Sequence, residues 1–172
     1  MAQKAFALVL LLAVAMAAAT TATAQNTPQE FLDLHNLARR GEAGAGLPDL
    51  VWDTTLEQFA QSFAATRVAT CRLLPHSDAA GVRYGENLLA GPPGAVGTAE
   101  VAVKMWMDEK KWYDYGTNIC SAPAGWSCGH YTQVVWRDTT AVGCARVQCD
   151  NGGFFISCNY SPPGNFPNQR PY

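Results

Sequence analysis

The chain has 172 residues, of which 48% are hydrophobic and 15% are charged, and its formal net charge is −2. This length is enough for one domain with its own hydrophobic core. The weakly negative charge gives no electrostatic reason to expect nucleic acid or an anionic membrane as a partner.

The first residues have the pattern of a secretory signal peptide. Lys4 is followed by an apolar run over residues 5–19 and then by small residues up to Ala24, which is the order of a signal peptide and its cleavage site. We therefore expect a signal peptide at 1–24 and a mature domain at 25–172. The remaining sequence has no second apolar stretch of bilayer-spanning length, so no integral membrane segment is expected.

Capping patterns predict the starts of two helices. Thr27 is followed by Pro28 and then by Glu30, which gives a capping box with proline at the first helical position. This first helix is expected to end at about Arg40. The same pattern with Thr54 as the cap predicts the start of a second helix.

A third helix is expected to start near Thr98 and to continue through the sequence KMWMDEKKWY. Helical spacing places the carboxylate of Glu109 on the apolar face of this helix. Other members of that face are Met105, Trp106 and Trp112. Because an ionised carboxylate that faces a core needs a partner or a shifted pKa, Glu109 is a candidate site residue.

The last part of the chain has the pattern of strands. Residues 130–136 are rich in β-branched and aromatic types, and the segments 142–149 and 154–160 flank the turn sequence Asp-Asn-Gly-Gly. These patterns predict a strand followed by a hairpin. Helices first and strands last favour an α+β sandwich with an antiparallel sheet.

Six cysteines in an exported chain favour three disulfides over redox chemistry or zinc ligation. If the hairpin turn is centred near Asn151, Cys144 faces Cys158 across the two strands, and Cys149 points to the opposite face. A register error of one residue would change this arrangement. The predicted bridges are Cys144–Cys158, Cys71–Cys149 and Cys120–Cys128.

The histidines and two carboxylates are the candidate functional residues. His35 lies on the first helix and is predicted to be a hydrogen-bonded core residue. His76 and His130 lie near segment boundaries, where site residues are common. Together with Glu86 and Glu109 they form a weak metal signal by spacing alone. The alternative is a buried polar network that ties the helices to the sheet.

Five short motifs carry a more specific signal: HS at 76–77, GENL at 85–88, WMDEK at 106–110, GHYTQVVW at 129–136 and CNYSPPGN at 158–165. With them the chain resembles the plant pathogenesis-related protein 1 family of the CAP superfamily, over residues 27–172. The resemblance implies that residues 25–172 form a CAP domain. Its expected fold is a three-layer α-β-α sandwich with a central antiparallel sheet and three disulfides.

The resemblance also implies that His76, Glu86, Glu109 and His130 converge in one open cleft that can bind a divalent ion, chiefly through the two histidines. Two imidazoles with carboxylate or water oxygens suit Zn²⁺, although no cofactor is required for the expected function. A metal-dependent hydrolase is the alternative function. Since the sequence supplies no recognisable nucleophile, a non-catalytic role is favoured.

The segment after the third helix is rich in aromatic rings, namely Trp112, Tyr113, Tyr115 and Trp126. We call residues 112–128 the ring-rich loop. The simplest interpretation is that these rings cover the edge of the core. The resemblance implies instead a sterol-binding loop, with sterols or other membrane lipids of fungi and oomycetes as partners.

The C-terminal tail, residues 162–172, contains four prolines and is expected to be extended on the surface. The resemblance implies cleavage between Ser161 and Pro162, which would release PPGNFPNQRPY as a signalling peptide with its own receptor. The alternative is a surface strap anchored by Phe166 and Tyr172. The sequence thus predicts a secreted plant defence protein of the extracellular space (apoplast), with the vacuole as the alternative location and without nucleic-acid partners.

Overall fold

The computed structural model describes residues 25–42, 44–71 and 75–172, so the predicted signal peptide lies outside the described residues. Within these ranges no helix has the length and hydropathy to cross a membrane. The helices are α1 (Pro28–Arg40), α2 (Thr54–Ala65), α3 (Ala99–Met107) and α4 (Gly129–Val134), and a 3₁₀ turn spans Asp108–Trp112. The strands are β1 (Val51–Trp52), β2 (Gly85–Gly91), β3 (Tyr113–Asp114), β4 (Ile119–Cys120), β5 (Ala141–Gln148) and β6 (Phe154–Ser161).

The main sheet has the strand order β1-β5-β6-β2. Strands β5 and β6 form the predicted antiparallel hairpin, and β2 is antiparallel to β6. The short strand β1 is parallel to β5, so the sheet is mixed at one edge. A separate small hairpin, β3 and β4, lies in the ring-rich loop. The predicted α+β fold is confirmed.

Helices cover both faces of the sheet. On one face, α2 packs through Ala60 and Ala64 against Leu88 and Phe155. On the other face, the larger core contains side chains from α1, α3 and α4, namely Phe31, Trp106, Tyr131, Val134 and others, packed on Val142 and Ile156 of the sheet. This is the three-layer sandwich, and Glu109 and His130 lie at its edge where α3, α4 and β2 meet.

The helix starts follow local capping chemistry. The Thr27 side chain accepts a hydrogen bond from the backbone N–H of Glu30 at 3.1 Å, as predicted. Helix α2 starts at Thr54, but the prediction that Thr54 is its cap was wrong. Asp53 is the cap, and one of its carboxylate oxygens accepts from two first-turn N–H groups, including that of Leu56 at 3.1 Å. A carboxylate also interacts favourably with the positive end of the helix dipole.

The third helix is shorter than predicted. Helix α3 ends at Met107 and the chain tightens into the 3₁₀ turn that contains Glu109. Trp106 is buried, but the predicted partner Met105 is 43% exposed. Successive helical residues point about 100° apart, so only one of these two neighbours can face the core. Glu109 is buried, with 5% exposure.

The prediction of a strand over residues 130–136 was wrong, because this segment forms α4. Residues 131–136 are all buried, and a short segment that is buried throughout has no periodicity that distinguishes a strand from a helix. Strand propensity is weak compared with the packing of a fully buried segment. His130 therefore lies in the first turn of a helix.

Three disulfides are present, with the predicted pairing. Cys144 and Cys158 are directly opposite in the β5–β6 register. Cys71 and Cys149 fasten the segment after α2 to the end of β5, and Cys120 and Cys128 close the ring-rich loop. Each bridge typically stabilises a small exported domain by about 2–4 kcal/mol.

Candidate functional site

Glu109 and His130 form the first of two histidine–carboxylate pairs. The His130 Nδ1 atom lies 2.6 Å from Glu109 Oε1. The other carboxylate oxygen, Oε2, accepts from the backbone N–H groups of His130 at 3.0 Å and Tyr131 at 3.2 Å. The His130 ring also stacks on Trp106, with ring centroids 6.3 Å apart. The buried carboxylate therefore has three donors.

Two of those donors explain why Glu109 is buried. The first N–H groups of any helix have no partner within the helix, and the N-cap residue of α4, Cys128, provides no side-chain hydrogen bond. The Glu109 carboxylate, which comes from the 3₁₀ turn, takes this place for His130 and Tyr131. Glu109 is thus both a partner of His130 and the cap of α4.

His76 and Glu86 form the second pair. Strand β2 positions Glu86, whose side chain is fully buried, while His76 lies in a loop and its side chain is 45% exposed. His76 Nδ1 lies 2.7 Å from Glu86 Oε1, which also accepts from the backbone N–H of Ser77 at 3.0 Å. The Asn159 amide donates to the other oxygen at 3.2 Å. Glu86 therefore also has three donors.

These contacts determine the charge of Glu86. Burial alone would raise the pKa of this carboxyl, but the hydrogen bonds from His76, Ser77 and Asn159 favour the ionised form. Their combined effect lowers the pKa of Glu86 below its ordinary value. The carboxylate is consequently ionised at neutral pH.

A buried chain of hydrogen bonds connects His130 to α1. The Asn87 amide donates to the His130 carbonyl at 3.0 Å and to the Tyr160 hydroxyl at 3.2 Å. His35 Nε2 lies 2.9 Å from that hydroxyl, and His35 Nδ1 lies 2.7 Å from the carbonyl of Phe31. Since a carbonyl only accepts, Nδ1 of the neutral ring carries the proton and Nε2 accepts from Tyr160.

His35 is a hydrogen-bonded core residue, as predicted. Its ring is fully buried, and burial is the main reason why its pKa falls to about 4. The Phe31 carbonyl raises the pKa and the Arg39 charge lowers it, and both effects are smaller than that of burial. The ring is therefore neutral at the pH of most compartments.

The donor chemistry of the two pairs fits a divalent ion. In each pair the carboxylate holds Nδ1, and among the described residues no protein group bonds Nε2 of His76 or His130. A carboxylate on one ring nitrogen commonly supports metal binding through the other. Within the same residues, however, no three of the four predicted side chains bring ligand atoms within 4.8 Å of one another. The convergence on one ion stays a prediction.

One group of three potential ligands within that distance is found among the described residues, and it consists of His35, Cys144 and Cys158. The two cysteines form a disulfide, so their sulfurs are not available as thiolate ligands. His35 is occupied by Phe31 and Tyr160. This group is therefore part of the core and not a metal site.

Members of the two pairs line different cavities. Glu109 and His130 lie in a groove of about 360 Å³, which we call the apolar groove. Its lining residues are Leu88, Leu89, Ala90, Met105, Trp106, Glu109, Gly125, Trp126, Ser127 and His130. His76 instead borders a cavity of about 610 Å³ beside α2, together with Phe59, Phe63 and two arginines. That the four residues share one open cleft stays a prediction.

The four rings of the ring-rich loop are in three environments. Trp112 and Trp126 pack together with centroids 5.2 Å apart, and Trp126 is 58% exposed at the rim of the apolar groove. Tyr113 contacts the Tyr131 ring of α4. Tyr115 stacks on Tyr172 at 4.7 Å. Only Trp126 of the four lines the apolar groove.

The C-terminal tail is held by hydrogen bonds at several points. The Gly164 N–H donates to the Gln133 side chain at 2.9 Å, and the Pro171 carbonyl accepts from the backbone N–H of Arg137 at 2.7 Å. The Tyr172 hydroxyl donates to Glu42 at 3.2 Å. These contacts, together with the hydrogen bonds from Arg170 to the carbonyls of Tyr115 and Gly116, fix the tail as a strap against α4 and the ring-rich loop.

The predicted cleavage bond lies at the end of β6. The Ser161 carbonyl accepts from the backbone N–H of Thr140 at 3.0 Å, and the Pro162 carbonyl accepts from the Thr139 hydroxyl at 2.9 Å. Ser161 is partly buried and Pro162 is exposed. A protease would therefore need this end of the sheet to open before it could bind the bond in an extended form.

Sequence reasoning missed several supporting residues. Asn87 and Asn159 were not predicted to hold the site, although both lie in the quoted motifs. The β2–β6 register places Glu86 directly opposite Asn159. A prediction of β2 as a strand paired with β6 would have been the signal for this contact.

Comparisons with known proteins agree with the fold. The model of the cysteine-rich secretory protein family (CAP) matches residues 32–160. Pathogenesis-related protein PRMS of Zea mays is 51% identical over 168 residues, 95% of each chain. Pathogenesis-related protein 1A of Nicotiana tabacum is 50% identical over 149 residues, 87% of this chain and 83% of the relative. A crystal structure of NaASP2 with Zn²⁺ is 25% identical, covers 84% of both chains and has a TM-score of 0.65.

Proposed function

Because the chain belongs to the cysteine-rich secretory protein (CAP) family, among its pathogenesis-related protein 1 members, we propose that it is a secreted plant defence protein that binds sterols of microbial membranes. This activity against fungi or oomycetes needs neither catalysis nor a cofactor. Three disulfides suit an oxidising compartment, and the extracellular space is the proposed location. The vacuole is the alternative.

The apolar groove is the observation that supports sterol binding. Its volume of about 360 Å³ is within the range of small-molecule sites. Trp126 at the rim is 58% exposed and Met105 is 43% exposed, so two large apolar side chains face solvent at one place. Covering them with a flat hydrocarbon would stabilise a complex by about 25 cal/mol for each Å² removed from water.

Polar groups at the base of the groove can orient a sterol. A sterol has one hydroxyl, and Glu109, Ser127 and His130 are the polar members of the lining. Glu109 already has three donors, whereas His130 Nε2 has no protein partner among the described residues. We therefore propose that the sterol hydroxyl bonds to His130 Nε2 and that the sterol rings pack on Trp126 and Met105.

Calorimetric titration with ergosterol and stigmasterol tests this proposal. Trp126→Ala and Met105→Ser should each weaken sterol binding at least fivefold, because each removes exposed apolar surface from the groove. Leu37→Ala is the matched control, since Leu37 is 65% exposed and lies on α1 outside the groove. Saturable binding that is equal with and without chelator supports the proposal, and absence of saturable binding overturns it.

A metal-dependent hydrolase is the second candidate, supported by the metal-compatible geometry of the two pairs and by the Zn²⁺ in the NaASP2 structure. His76 and His130 would hold the ion through Nε2, supported by Glu86 and Glu109. A bound Zn²⁺ lowers the pKa of a water ligand and so supplies a nucleophile. Hydrolysis would be lost in His76→Ala and in chelator, while sterol binding would persist in both.

The role of the tail as a peptide precursor is compatible with either activity. The sequence PPGNFPNQRPY follows Ser161, and a receptor would recognise the released peptide. The strap contacts require β6 to open locally before cleavage. Incubation with apoplastic fluid followed by mass spectrometry tests this role. The expected product is residues 162–172, and an intact C-terminus after prolonged incubation would overturn it.

A further inference from the structure

A cavity of about 490 Å³ lies between the ring-rich loop and the C-terminal strap, and we call it the loop–tail cavity. It differs from the apolar groove because amide side chains line it beside aromatic rings. The amides are those of Asn118, Asn165, Asn168 and Gln169, and the rings are those of Tyr113, Trp126, Trp136 and Phe166. We propose that the loop–tail cavity binds a neutral oligosaccharide. This inference does not rest on sterol binding.

The rings offer apolar faces of the kind that sugar rings need. Trp126 is 58% exposed and Phe166 is 42% exposed. The Trp136 ring packs edge-on against the Phe166 ring, with centroids 6.1 Å apart. This contact helps to hold the Phe166 ring in place. One face of a pyranose carries C–H groups and is apolar, so it can pack on such a ring while its hydroxyls point sideways.

The amides supply the polar half of the site. Asn118 accepts from Tyr113 at 2.6 Å, and Asn165 accepts from Thr132 at 2.6 Å, so these two amides are held in place. The side chains of Asn168 and Gln169 make no hydrogen bond to any described residue. A free amide offers two donors and one carbonyl acceptor, which matches hydroxyl groups that both donate and accept.

The absence of charge limits the class of ligand. Among the described residues that line the loop–tail cavity none is ionisable at neutral pH, so an acidic sugar or a phosphate would find no cation there. A sterol would cover Asn168 and Gln169 with hydrocarbon and leave these polar groups without partners, which is unfavourable. A neutral sugar satisfies both the rings and the amides.

Calorimetric titration of the full chain, expressed through a secretory pathway so that its disulfides form, tests the proposal. The probes are laminarihexaose, cellohexaose and hexa-N-acetylchitohexaose, with trigalacturonic acid as the charged comparison. Binding of at least one neutral hexasaccharide, with no binding of the charged sugar, is expected. The three neutral probes also distinguish β-1,3-glucan, cellulose and chitin as sources of the ligand.

Variants separate this site from the apolar groove. Asn168→Gly combined with Gln169→Ala should weaken sugar binding at least tenfold and leave sterol binding unchanged. Glycine is chosen because Asn168 has a φ of 63°, which glycine adopts without strain. Met105→Ser should affect sterol only, since Met105 does not line the loop–tail cavity. Trp126→Ala should weaken both ligands, because Trp126 lines both sites.

Two results would overturn the proposal. One is the absence of binding of all three neutral hexasaccharides at millimolar concentration, with the fold intact by circular dichroism. The other is sugar binding that the Asn168→Gly/Gln169→Ala variant leaves unchanged, since the ligand would then lie elsewhere. If the protein bound a neutral hexasaccharide but no sterol, the proposed function would be contradicted and the proposed sugar site would still be supported.

Discussion

The two histidine–carboxylate pairs contain the same side chains but differ in what the carboxylate supports. Glu86 on β2 holds a loop histidine that is 45% exposed, and its other donors are Ser77 and Asn159. Glu109 holds His130 and also two backbone N–H groups at the start of α4. The first pair therefore joins a buried carboxylate on a strand to a half-exposed histidine in a loop, whereas the second pair is part of the structure of a helix.

This difference predicts a large and unequal effect of removing each acid. Glu109→Ala should lower the free energy of unfolding by about 4 kcal/mol, because the His130 ring and two backbone N–H groups at the start of α4 lose their acceptor. Glu86→Ala should cost about 2 kcal/mol, since the partly exposed His76 can turn to water. Urea unfolding of both variants at pH 7 measures the two losses.

The Glu109→Gln variant is the matched control for this comparison. Its side-chain oxygen can still accept at the start of α4, so it should recover about half of the stability lost in Glu109→Ala. Equal losses for Glu109→Ala and Glu86→Ala would contradict the proposed capping role of Glu109.

The chain of hydrogen bonds that connects His130 to α1 includes His35. The stability of the protein should therefore depend on pH through the titration of His35. The pKa of His35 falls from 6.5 to about 4 on folding. The unfolded state therefore takes up a proton between these values while the folded state does not. The free energy of unfolding should decrease by about 3 kcal/mol between pH 7 and pH 4 from this residue alone. Urea unfolding at half-unit pH steps measures this slope.

His35→Gln provides the comparison, because glutamine does not titrate. The variant should be less stable at pH 7, where it loses a well-packed ring, but its stability should change less between pH 7 and pH 4. A slope identical to that of the parent protein would show that His35 does not carry this pH dependence.

Local patterns predicted much of the fold. The Thr27 capping pattern correctly predicted the start of the first helix. The Asp-Asn-Gly-Gly turn correctly predicted the hairpin in which Cys144 lies opposite Cys158. Such features depend on residues that are close in sequence or on the two-residue period of a strand, so they can be predicted from the sequence alone. The cap Asp53 was missed because Thr54 also satisfies the pattern one residue later.

The errors concern buried segments. Residues 131–136 are all buried, and no periodicity in them distinguishes a helix from a strand. The candidate site shows the same limit. The sequence indicated that Glu109 needs a partner, but the backbone donors of α4 could not be predicted while α4 was expected to be a strand.

The smallest predicted effect concerns the pH dependence of the first pair. Hydrogen bonds from His76, Ser77 and Asn159 outweigh burial, and the pKa of Glu86 in the folded state is lowered. The stabilisation is present above the pKa of the unfolded chain, and it is lost as the pH falls through the folded pKa, because the unfolded state is protonated first. Glu86→Gln removes the charge and one acceptor.

We therefore expect Glu86→Gln to cost about 1 kcal/mol at pH 7. The stability difference from the parent should shrink as the pH falls below about 4.3, the ordinary pKa of a glutamate. Carboxyl NMR titration of Glu86 and urea unfolding across this range give two independent readings. If the stability difference between Glu86→Gln and the parent stayed constant down to the lowest accessible pH, the ionised form of Glu86 would not be what stabilises the fold. The contribution of Glu86 would then come from its hydrogen bonds and not from its charge.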